Sequence, residues 1–510
     1  MRLIGQNSPL PPTRLLPLDD LRAILESSGP MAFDTPNARR TLAIVGGGFS
    51  GSLLALKLVA LRPDWRVVLI EASSRPGRGL AYGACAPSHL LNVPVARMEA
   101  GLSPAYGDWL AGKPEMAEAL AESGGEMSAA FSPRELWGQY LQQQVAAARV
   151  TDNGAGLTVL RGEAVRLLDP PRRGLMLGDG REVEADTVVL ATGNLPPRPP
   201  LPADSWLRDA ACFATDPWAP DALAGVDPDA PVLLLGTGLT MVDIALKLHE
   251  GGHRGPMLAV SRRGLLPGAH RYGGHWDPFL GPLLPASPLT LSKAIRAEVT
   301  RAETAGQPWQ RVIDAVRPVI ARIWSTWTPA QKRQFLRHQR PRWDVHRHRM
   351  APRIAGRIDE LVATGQLSVR AARTRDWTPA EGGVAVTLHP RGGGAAETLT
   401  VAKVINCTGP RSDLQGLEVP LYADLARKGL IAPDSLGLGL ETSDCAVLGA
   451  RGEVSTWLHA LGPLTRPAWW EITAVPEITA QVDGLAHRLA EDAVVTPSLE
   501  DVFVDLGAGI

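Results

Sequence analysis

The feature of this sequence that most constrains its fold is the segment Thr41–Ala60, which has the pattern of a buried strand, a glycine turn and an apolar helix. Gly46, Gly48 and Gly51 fit G-x-G-x-x-G. In this pattern the first glycine permits a tight turn, the second lets the backbone approach a pyrophosphate, and the third lets helix and strand pack closely. The helix N-terminus offers N–H groups and a positive dipole end to the phosphates. The segment therefore predicts a dinucleotide-binding unit.

A second apolar strand, Arg66–Glu71, strengthens this prediction because it ends in an acid. Glu71 lies 20 residues after Gly51, where such units place the carboxylate that binds ribose hydroxyls. A lone glycine motif is weak evidence, whereas strand, turn, helix, strand and terminal acid together are specific. A membrane span is the alternative interpretation of the apolar window 42–61, but its glycines and Lys57 argue against it.

The same pattern returns in the second half of the chain with a changed glycine motif. A buried strand leads to Gly236 and Gly238, but the third position holds Met241, so we expect this helix and strand to lie slightly further apart. The helix is predicted at Leu239–Glu250 and the next strand at Met257–Ser261. A second dinucleotide-binding unit follows from this repeat.

The strand of the second unit ends in Arg262 and Arg263, where the first unit has an acid. Arginine at this point suits the 2′-phosphate of NADP, and an acid would suit NAD. A pair of solvated surface arginines is the alternative interpretation.

Each unit is closed by a buried strand that leads into Thr-Gly, at Thr187–Gly193 and at 399–409. This internal repeat indicates an α/β protein with two Rossmann-like dinucleotide-binding domains. The predicted boundaries are an N-terminal arm at 1–40, a discontinuous first domain at 41–200 and 406–510, and a second domain at 225–405 with a helical insertion at about 278–366.

The predicted insertion has helical periodicity and is rich in Trp and Arg. The run Lys332–Arg353 holds eight Lys or Arg and one Asp. It fits a solvated basic face, a pocket for an anionic substrate or cofactor phosphate, or a nucleic-acid patch. The last is disfavoured because no recognition motif accompanies it. His346 and His348 invite a metal interpretation, but no neighbouring acids or cysteines complete a ligand set, so no metal is predicted.

Four other segments carry local predictions. The apolar loop 73–98 is expected to pack against a ligand, because long irregular segments in compact domains are commonly functional. Residues 157–187 are expected to form a small antiparallel flap. Residues 457–467 are predicted to be a loop, and the helix that follows, from about Ala468 to Asp492, is expected to kink or break at Pro476.

Composition limits the partners and the compartment. The 510 residues suffice for two or three domains, and the net charge of −1 disfavours a nucleic-acid or acidic-surface specialist. The four cysteines are widely spaced without a C-x-x-C, which fits a reducing compartment. No signal-peptide pattern is present at the N-terminus. We therefore expect a cytoplasmic protein without a membrane or nucleic-acid partner, with homo-oligomerisation left open.

The motifs as a set resemble the bacterial FAD/NAD(P)-binding oxidoreductases that include FAD-dependent urate hydroxylases and flavin-dependent amino-acid N-hydroxylases, which are related to the class B flavin monooxygenases. The resemblance covers about residues 41–490 and implies FAD at the first glycine turn and NADPH at the second. It also places Asn92 and Met98 near the flavin. The Baeyer–Villiger motif is incomplete at Phe213–Trp218, which puts ketone oxygenation in doubt. The matching motifs lie at 44–51, 79–83, 89–98, 216–218, 236–240, 261–267, 343–349, 405–410 and 461–476.

The resemblance and the two glycine motifs together define a set of cofactor-contacting residues. The predicted residues are Gly46, Gly48, Phe49, Ser50, Gly51, Glu71, Arg78, Gly79, Leu91, Asn92, Met98, Val165, Thr192, Gly193, Gly236, Gly238, Leu239, Thr240, Ser261, Arg262, Arg263, Thr408, Gly409, Leu461 and Gly462.

The functional hypothesis is an NADPH-dependent FAD monooxygenase that hydroxylates a small polar metabolite at nitrogen or carbon with O₂, through a C4a-hydroperoxide of the flavin. One alternative is a flavoprotein reductase or dehydrogenase that inserts no oxygen, and another is a non-catalytic flavin-binding protein. No general base is evident in the sequence. Asn92, Arg347 and Arg349 are the candidate catalytic residues, and the two arginines are candidates to pair with a substrate carboxylate.

Overall fold

The structure is a computed structural model that describes residues 40–148, 156–281, 284–414 and 419–491, so the predicted arm lies outside the described residues apart from Arg40. The described residues from Thr41 onward belong to one compact unit. The strands are β1 (Thr41–Val45), β2 (Arg66–Glu71), β3 (Gly156–Arg161), β4 (Ala164–Leu167), β5 (Gly174–Leu177), β6 (Glu182–Glu184), β7 (Thr187–Leu190), β8 (Phe213–Ala214), β9 (Val232–Leu235), β10 (Met257–Ser261), β11 (Leu367–Ala380), β12 (Gly383–Pro390), β13 (Glu397–Val401), β14 (Lys403–Asn406), β15 (Thr442–Ser443), β16 (Ala446–Leu448) and β17 (Val454–Ala460).

The helices lie between these strands and in one long insertion. They are α1 (Phe49–Leu61), α2 (Gly79–Gly83), α3 (Tyr106–Leu110), α4 (Ala117–Glu122), α5 (Arg134–Ala147), α6 (Leu239–Glu250), α7 (Pro288–Thr304), α8 (Trp309–Val316), α9 (Ile320–Thr326), α10 (Pro329–His338), α11 (Arg340–Arg347), α12 (Pro352–Ala363), α13 (Pro420–Arg427) and α14 (Val475–Glu491). Short 3₁₀ turns lie at Val95–Arg97, Pro114–Met116, Met127–Ala129, Trp206–Asp209, Arg317–Val319 and Gly462–Thr465.

Two seven-stranded sheets confirm the predicted α/β class. The first has the order β15-β16-β17-β7-β1-β2-β3 and the second β13-β12-β11-β10-β9-β14-β8. Five neighbouring strands pair in parallel in each sheet, from β17 to β3 in the first and from β11 to β8 in the second. The remaining two strands of each sheet pair with their neighbours in antiparallel fashion. The strands β4, β5 and β6 form a separate antiparallel sheet.

Both sheets are buried on their two faces, which explains the continuous apolar runs in their central strands. Leu42 and Ile44 of β1 pack with α1, α5 and α14, while Ala43 and Val45 face the three-stranded sheet and α13. In the second sheet, alternate residues of β9 pack against α6 and α12 on one side and against β12 on the other. The two-residue period of a strand divides each sheet's core in this way.

Four local predictions need correction. Residues 156–161 belong to the first sheet as β3, so only β4–β6 form the flap. The predicted strand 399–405 is two strands, β13 and β14, in different parts of the second sheet. Residues 457–460 are part of β17 rather than a loop, because they pair with β7. The closing helix begins at Val475, with Pro476 in its first turn, where proline is tolerated, so it has no kink there.

The insertion is helical as predicted, but it packs against the C-terminal part of the chain. Trp324, Phe335 and Trp343 form its core together with Leu438 and Trp470. The last predicted insertion helix, α12, instead covers the second sheet between β10 and β11, as the crossover of a parallel sheet does.

Candidate functional site

The first glycine turn follows β1 in the middle of the first sheet. Gly46 has φ +105°, and a Cβ there would lie 2.4 Å from the carbonyl oxygen of Ala191. A Cβ on Gly51 would lie 2.0 Å from the carbonyl oxygen of Gly46. Glycine is therefore required at both positions. Within the described residues no side chain caps α1, so its first-turn N–H groups are presented to a phosphate.

Two other segments close around this turn. Gly79 approaches so near that a Cβ on it would lie 2.9 Å from the Cα of Gly48. Gly462 lies beside the start of α1, where a Cβ on it would be 2.7 Å from Ser50 Oγ. Phe49 packs against Trp137 of α5 at 5.7 Å between ring centroids. The turn, the Arg78–Gly79 segment and the C-terminal segment thus form one compact cradle.

Glu71 is held at the end of β2 by backbone groups. The Gly47 N–H donates to its Oε2 at 2.7 Å and the Ser73 N–H donates to its Oε1 at 2.8 Å. Each carboxylate oxygen retains a lone pair that can accept a ribose hydroxyl. Arg161 pairs with Glu71 in the sheet, and Val165 follows four residues later, on β4. Glu71 therefore stands where the sequence pattern predicted a ribose-binding acid.

The second glycine turn repeats the geometry of the first. Gly236 has φ +115°, and a Cβ there would lie 2.4 Å from the carbonyl oxygen of Cys407. A Cβ on Gly238 would meet no atom within 4 Å among the described residues, so the turn is open at that point. Met241 is fully buried at the third position. Leu239 and Thr240, both half-buried, begin α6 at the mouth of the turn.

The two Thr-Gly turns lie against the glycine turns and are fixed by side-chain hydrogen bonds. The Thr192 hydroxyl bonds to the Tyr422 hydroxyl at 2.5 Å, and the Thr408 hydroxyl donates to Asn406 Oδ1 at 2.7 Å. Gly193 and Gly409, with φ of +71° and +91°, follow these threonines. The sequence repeat of strand and Thr-Gly therefore corresponds to a repeat in space.

The end of β10 opens onto a cavity of 620 Å³ whose walls are rich in arginine. Ser261 turns the chain there, because its hydroxyl accepts the Gly264 N–H at 2.9 Å. Arg262 is exposed and Arg263 is half-buried, and both line the cavity. Burial and the neighbouring Arg262 and Arg391 lower the pKa of Arg263. The two arginines therefore line a concave, positively charged surface.

A loop between residues 88 and 98 connects the two glycine-turn units. His89 Nε2 lies 3.1 Å from the carbonyl oxygen of Asp243 in α6, and Arg134 at the start of α5 forms an ion pair with Asp243 at 2.7 Å. His270 Nε2 donates to the carbonyl oxygen of Asn92 at 2.9 Å. These bonds place the half-buried Asn92 where the first unit meets the second.

Four further residues predicted to contact the cofactors are buried or held by hydrogen bonds and ion pairs. Leu91 is buried, and its N–H donates to the Ser132 carbonyl at 2.9 Å. Met98 and Leu461 are fully buried in the core of the first sheet, so their side chains have no surface to offer a ligand. Arg78 donates to Gln142 at 2.9 Å and pairs with Glu135 at 3.3 Å.

A cluster of charged side chains lies between this loop and the insertion, and we call it the charged cluster. Arg347 pairs with Glu471 at 3.2 Å and with Glu477 at 3.4 Å, and Arg349 pairs with Asp314 at 2.5 Å. Arg347 and Arg349 are 5% and 3% exposed, so a substrate carboxylate would have to compete with the protein's own acids for them. The cluster consists of Arg97, Arg311, Asp314, Arg317, Arg347, Arg349, Glu471 and Glu477.

The charged cluster holds five arginines and three acids, so positive charge is in excess, although Arg311 shares Asp314 with Arg349 and Arg317 shares Glu477 with Arg347. Burial lowers the pKa of Arg97, and the nearby Arg317 lowers it further. Burial would raise the pKa of Asp314, but Arg349 and Arg97 outweigh it, so its pKa lies below its usual range. The excess positive charge of the cluster favours an anionic ligand.

Sequence reasoning missed Arg97, although it stands directly before Met98 in a segment already singled out. Its half-buried guanidinium faces the charged cluster, and the described residues show no ion pair to it. The signal was a lone basic residue in an otherwise apolar stretch of a ligand-facing loop. Glu471 and Glu477, the partners of Arg347, lie more than 120 residues away in sequence and carried no such signal.

The described residues contain no group of three or more His, Cys, Asp or Glu side chains arranged to hold a metal ion. No described helix has both the length and the apolar character needed to cross a bilayer.

Comparisons with known proteins agree with this geometry. Residues 43–195, which contain the first glycine turn, match the model of the FAD-NAD(P)-binding family. No curated protein sequence matches the chain.

Solved structures extend the likeness to most of the chain. Ornithine hydroxylase from Pseudomonas aeruginosa is 14% identical, with a TM-score of 0.59 over 89% of this chain and 99% of its own. L-lysine 6-monooxygenase from Pseudomonas syringae is 16% identical, with a TM-score of 0.60 over 89% and 99%. Ornithine N-hydroxylase from Kutzneria sp. 744 is 14% identical, with a TM-score of 0.56 over 88% and 99%. The fold is that of FAD-dependent NADPH oxidoreductases.

Proposed function

We propose that the protein is an NADPH-dependent FAD monooxygenase that hydroxylates a small polar substrate at nitrogen or carbon. The observation that carries this proposal is the repeated glycine turn. A Cβ on Gly46 would lie 2.4 Å from the carbonyl oxygen of Ala191, and a Cβ on Gly236 would lie at the same distance from that of Cys407. One chain thus has two cradles for dinucleotides, and such a pair serves transfer of electrons from one cofactor to another.

In this proposal FAD occupies the first cradle, with its pyrophosphate on the N-terminus of α1 and a ribose on Glu71. The bound flavin supplies the acceptance of hydride and the activation of O₂. The chain's own task is to orient this group and keep water from it. Phe49, buried against Trp137, makes the start of α1 apolar beside the cradle.

NADPH occupies the second cradle, with its 2′-phosphate on Arg262 and Arg263. The loop that contacts both units supports this arrangement. Ion pairing of Arg134 with Asp243 and the bond from His270 to the Asn92 carbonyl hold the loop of the first unit against the second. Asn92 is the loop residue that we expect to face the reacting groups.

The charged cluster supports a substrate that carries a carboxylate. Arg97 has no ion pair among the described residues, while Arg347 and Arg349 are bound to the protein's own acids. We therefore assign the direct contact with the substrate carboxylate to Arg97. Arg347 and Arg349 hold the acids of the cluster in place, so that Arg97 is surrounded by fixed charges.

The test begins with the flavin spectrum of the purified protein, followed by NADPH consumption with a panel of amino acids and other small polar metabolites. Ornithine and lysine belong in the panel because enzymes of similar fold act on them. Each active compound is paired with its methyl ester, which lacks the carboxylate. We expect NADPH consumption coupled to ¹⁸O incorporation from O₂ with the acid and not with the ester.

Other outcomes would support one of the two alternative functions or exclude flavin binding. NADPH oxidation that reduces an acceptor without oxygen in the product would make the protein a reductase. A yellow protein that does not oxidise NADPH with any compound would make it a flavin-binding protein, and a colourless one that stays so with added FAD would remove the proposal altogether.

A further inference from the structure

The cavity at the end of β10 has more positive charge than one cofactor phosphate requires. Its walls come from the end of β10, from α10 and from the β11–β12 hairpin. Its volume of 620 Å³ lies in the range of small-molecule sites. The six arginines that line it, which we call the arginine cavity, are Arg262, Arg263, Arg337, Arg373, Arg375 and Arg391.

None of these six arginines forms an ion pair within the described residues, and no acid lines the arginine cavity. Arg263 instead donates to the carbonyl oxygen of Arg337 at 3.0 Å, which draws the walls together. Arg370, on the same hairpin but outside the cavity, differs from these six arginines because it pairs with Glu397 at 2.6 Å. The chain thus neutralises a neighbouring arginine but leaves those of the cavity without a counter-charge.

A single phosphate monoester carries at most about two negative charges at neutral pH. The 2′-phosphate of NADPH, bound at Arg262 and Arg263, therefore leaves about four of the six guanidinium charges without an anion. Those of Arg373, Arg375 and Arg391 lie on the β11–β12 hairpin, whose strand β11 pairs with β10. Guanidinium groups bind phosphate oxygens in a bidentate manner, and a concave site of this size accepts a small ligand.

We propose that the arginine cavity binds a second ligand, a small molecule with a chain of linked phosphates, on the wall formed by Arg373, Arg375 and Arg391. The inference goes beyond the proposed monooxygenase function. Because this ligand and the 2′-phosphate of NADPH share the cavity, their negative charges repel each other. The ligand therefore weakens the binding of NADPH, and it leaves the binding of NADH, which has no 2′-phosphate, unaffected.

The first experiment measures binding to the purified flavoprotein by calorimetry, with inorganic tripolyphosphate and with ATP, in KCl of matched ionic strength. We expect both to bind, and we expect the double variant Arg373→Ala with Arg391→Ala to weaken binding by about tenfold, or about 1.4 kcal/mol. Arg370→Ala is the matched control, an arginine of the same strand outside the cavity, and should leave the affinity unchanged. Arg375→Ala alone serves if the double variant does not fold.

The second experiment measures NADPH and NADH affinity with and without tripolyphosphate. The expected result is a severalfold rise in the Kd of NADPH and no change for NADH. A tighter Kd for ATP identifies a nucleotide as the ligand, and a tighter Kd for tripolyphosphate identifies an inorganic polyphosphate; both support the site.

The inference is overturned if tripolyphosphate and ATP give no more binding heat than KCl of matched ionic strength. It is also overturned if the hairpin variants weaken NADPH as much as Arg262→Ala does, because the hairpin would then belong to the NADPH site alone. Calorimetry does not depend on NADPH oxidation, so a failure of the monooxygenase proposal and a failure of this one give different results.

Discussion

The two dinucleotide-binding units share one turn and differ in what surrounds it. In both units the first glycine has a positive φ, and a Cβ on it would lie 2.4 Å from a carbonyl oxygen at the end of the neighbouring strand. The third position is Gly51 in the first unit and a buried Met241 in the second. The first glycine is therefore common to both turns, whereas glycine at the third position is required in the first unit alone, where helix and strand pack closely.

The strand ends differ in charge as well. Glu71 closes β2 and is held by two backbone N–H groups, while Arg262 and Arg263 close β10 at the arginine cavity. A carboxylate recognises hydroxyl groups and guanidinium groups recognise phosphate, so the two units are built for different dinucleotides. The following predictions test this division, from the largest expected effect to the smallest.

Changing the first glycine of each turn should separate the two cofactors. Gly46→Ala forces a Cβ against a backbone carbonyl at positive φ and should yield protein without flavin. Gly236→Ala meets the same obstacle in the other unit and should retain flavin while losing NADPH binding. Flavin absorbance per protein and NADPH titration measure the two effects.

Gly356→Ala is the control, because Gly356 lies within α12 and a Cβ there meets no described atom within 4 Å. If Gly236→Ala loses its flavin as completely as Gly46→Ala, the two turns do not act independently and the comparison fails.

The elements that carry these turns were predictable because their signals are local. Helix α6 and strand β10 have the bounds read from the sequence, since a glycine turn and an apolar run define each. Strand β17 was missed because its burial comes from pairing with β7, more than 250 residues earlier in the chain. No local pattern in its sequence indicates this pairing.

The charged cluster was predictable only in part. The basic run around Arg347 is visible in the sequence, but its partners come from the segment 471–477, and nothing local links the two. The sequence therefore left a solvated basic face and an anion pocket as open alternatives. The structure shows a third arrangement, in which buried arginines are bound mostly by the protein's own acids.

Removing a buried acid of this cluster should have the second largest effect, because the insertion depends on it. Glu471 is 4% exposed, pairs with Arg347 and accepts the Trp343 indole N–H at 2.6 Å. Glu471→Ala leaves a buried guanidinium without this partner, which costs about 3–5 kcal/mol of folding free energy. Chemical denaturation measures the loss.

The control for that measurement is an exposed pair of the second unit, Arg254 with Asp229 at 3.0 Å. Arg254→Gln should change the denaturation midpoint very little, because exposed ion pairs contribute little. An equally small change for Glu471→Ala would mean that the insertion is not anchored to the C-terminal segment through this acid.

Arg262→Ala combined with Arg263→Ala should reveal the difference in charge between the units. Two charge-assisted contacts with the 2′-phosphate are lost, so we expect the Kd of NADPH to rise about a hundredfold. The Kd of NADH and the flavin content should stay constant. An equal rise for NADH would show that the arginines recognise some other part of the dinucleotide.

The smallest effect concerns His270, which ties the second unit to the loop of the first by donating to the Asn92 carbonyl. Burial, reinforced by Arg349, lowers the pKa of His270 from 6.5 to about 3. The unfolded chain therefore binds a proton below pH 6.5 that the folded chain excludes until about pH 3. The free energy of unfolding must then decrease as the pH falls through this window.

Burial also lowers the pKa of His89, His253 and His348, so the contribution of His270 is measured as the difference between the wild type and the variant. Burial would raise the pKa of Glu477, but Arg317 and Arg347 outweigh it, so its pKa lies below the ordinary 4.5 and its contribution is lost only below that pH. His270→Gln should therefore reduce the slope of the stability profile between pH 6.5 and 4.5, with a difference of about 1 kcal/mol from the wild type near pH 5.5. Parallel profiles for the variant and the wild type would mean that the junction of the two units does not depend on a neutral His270.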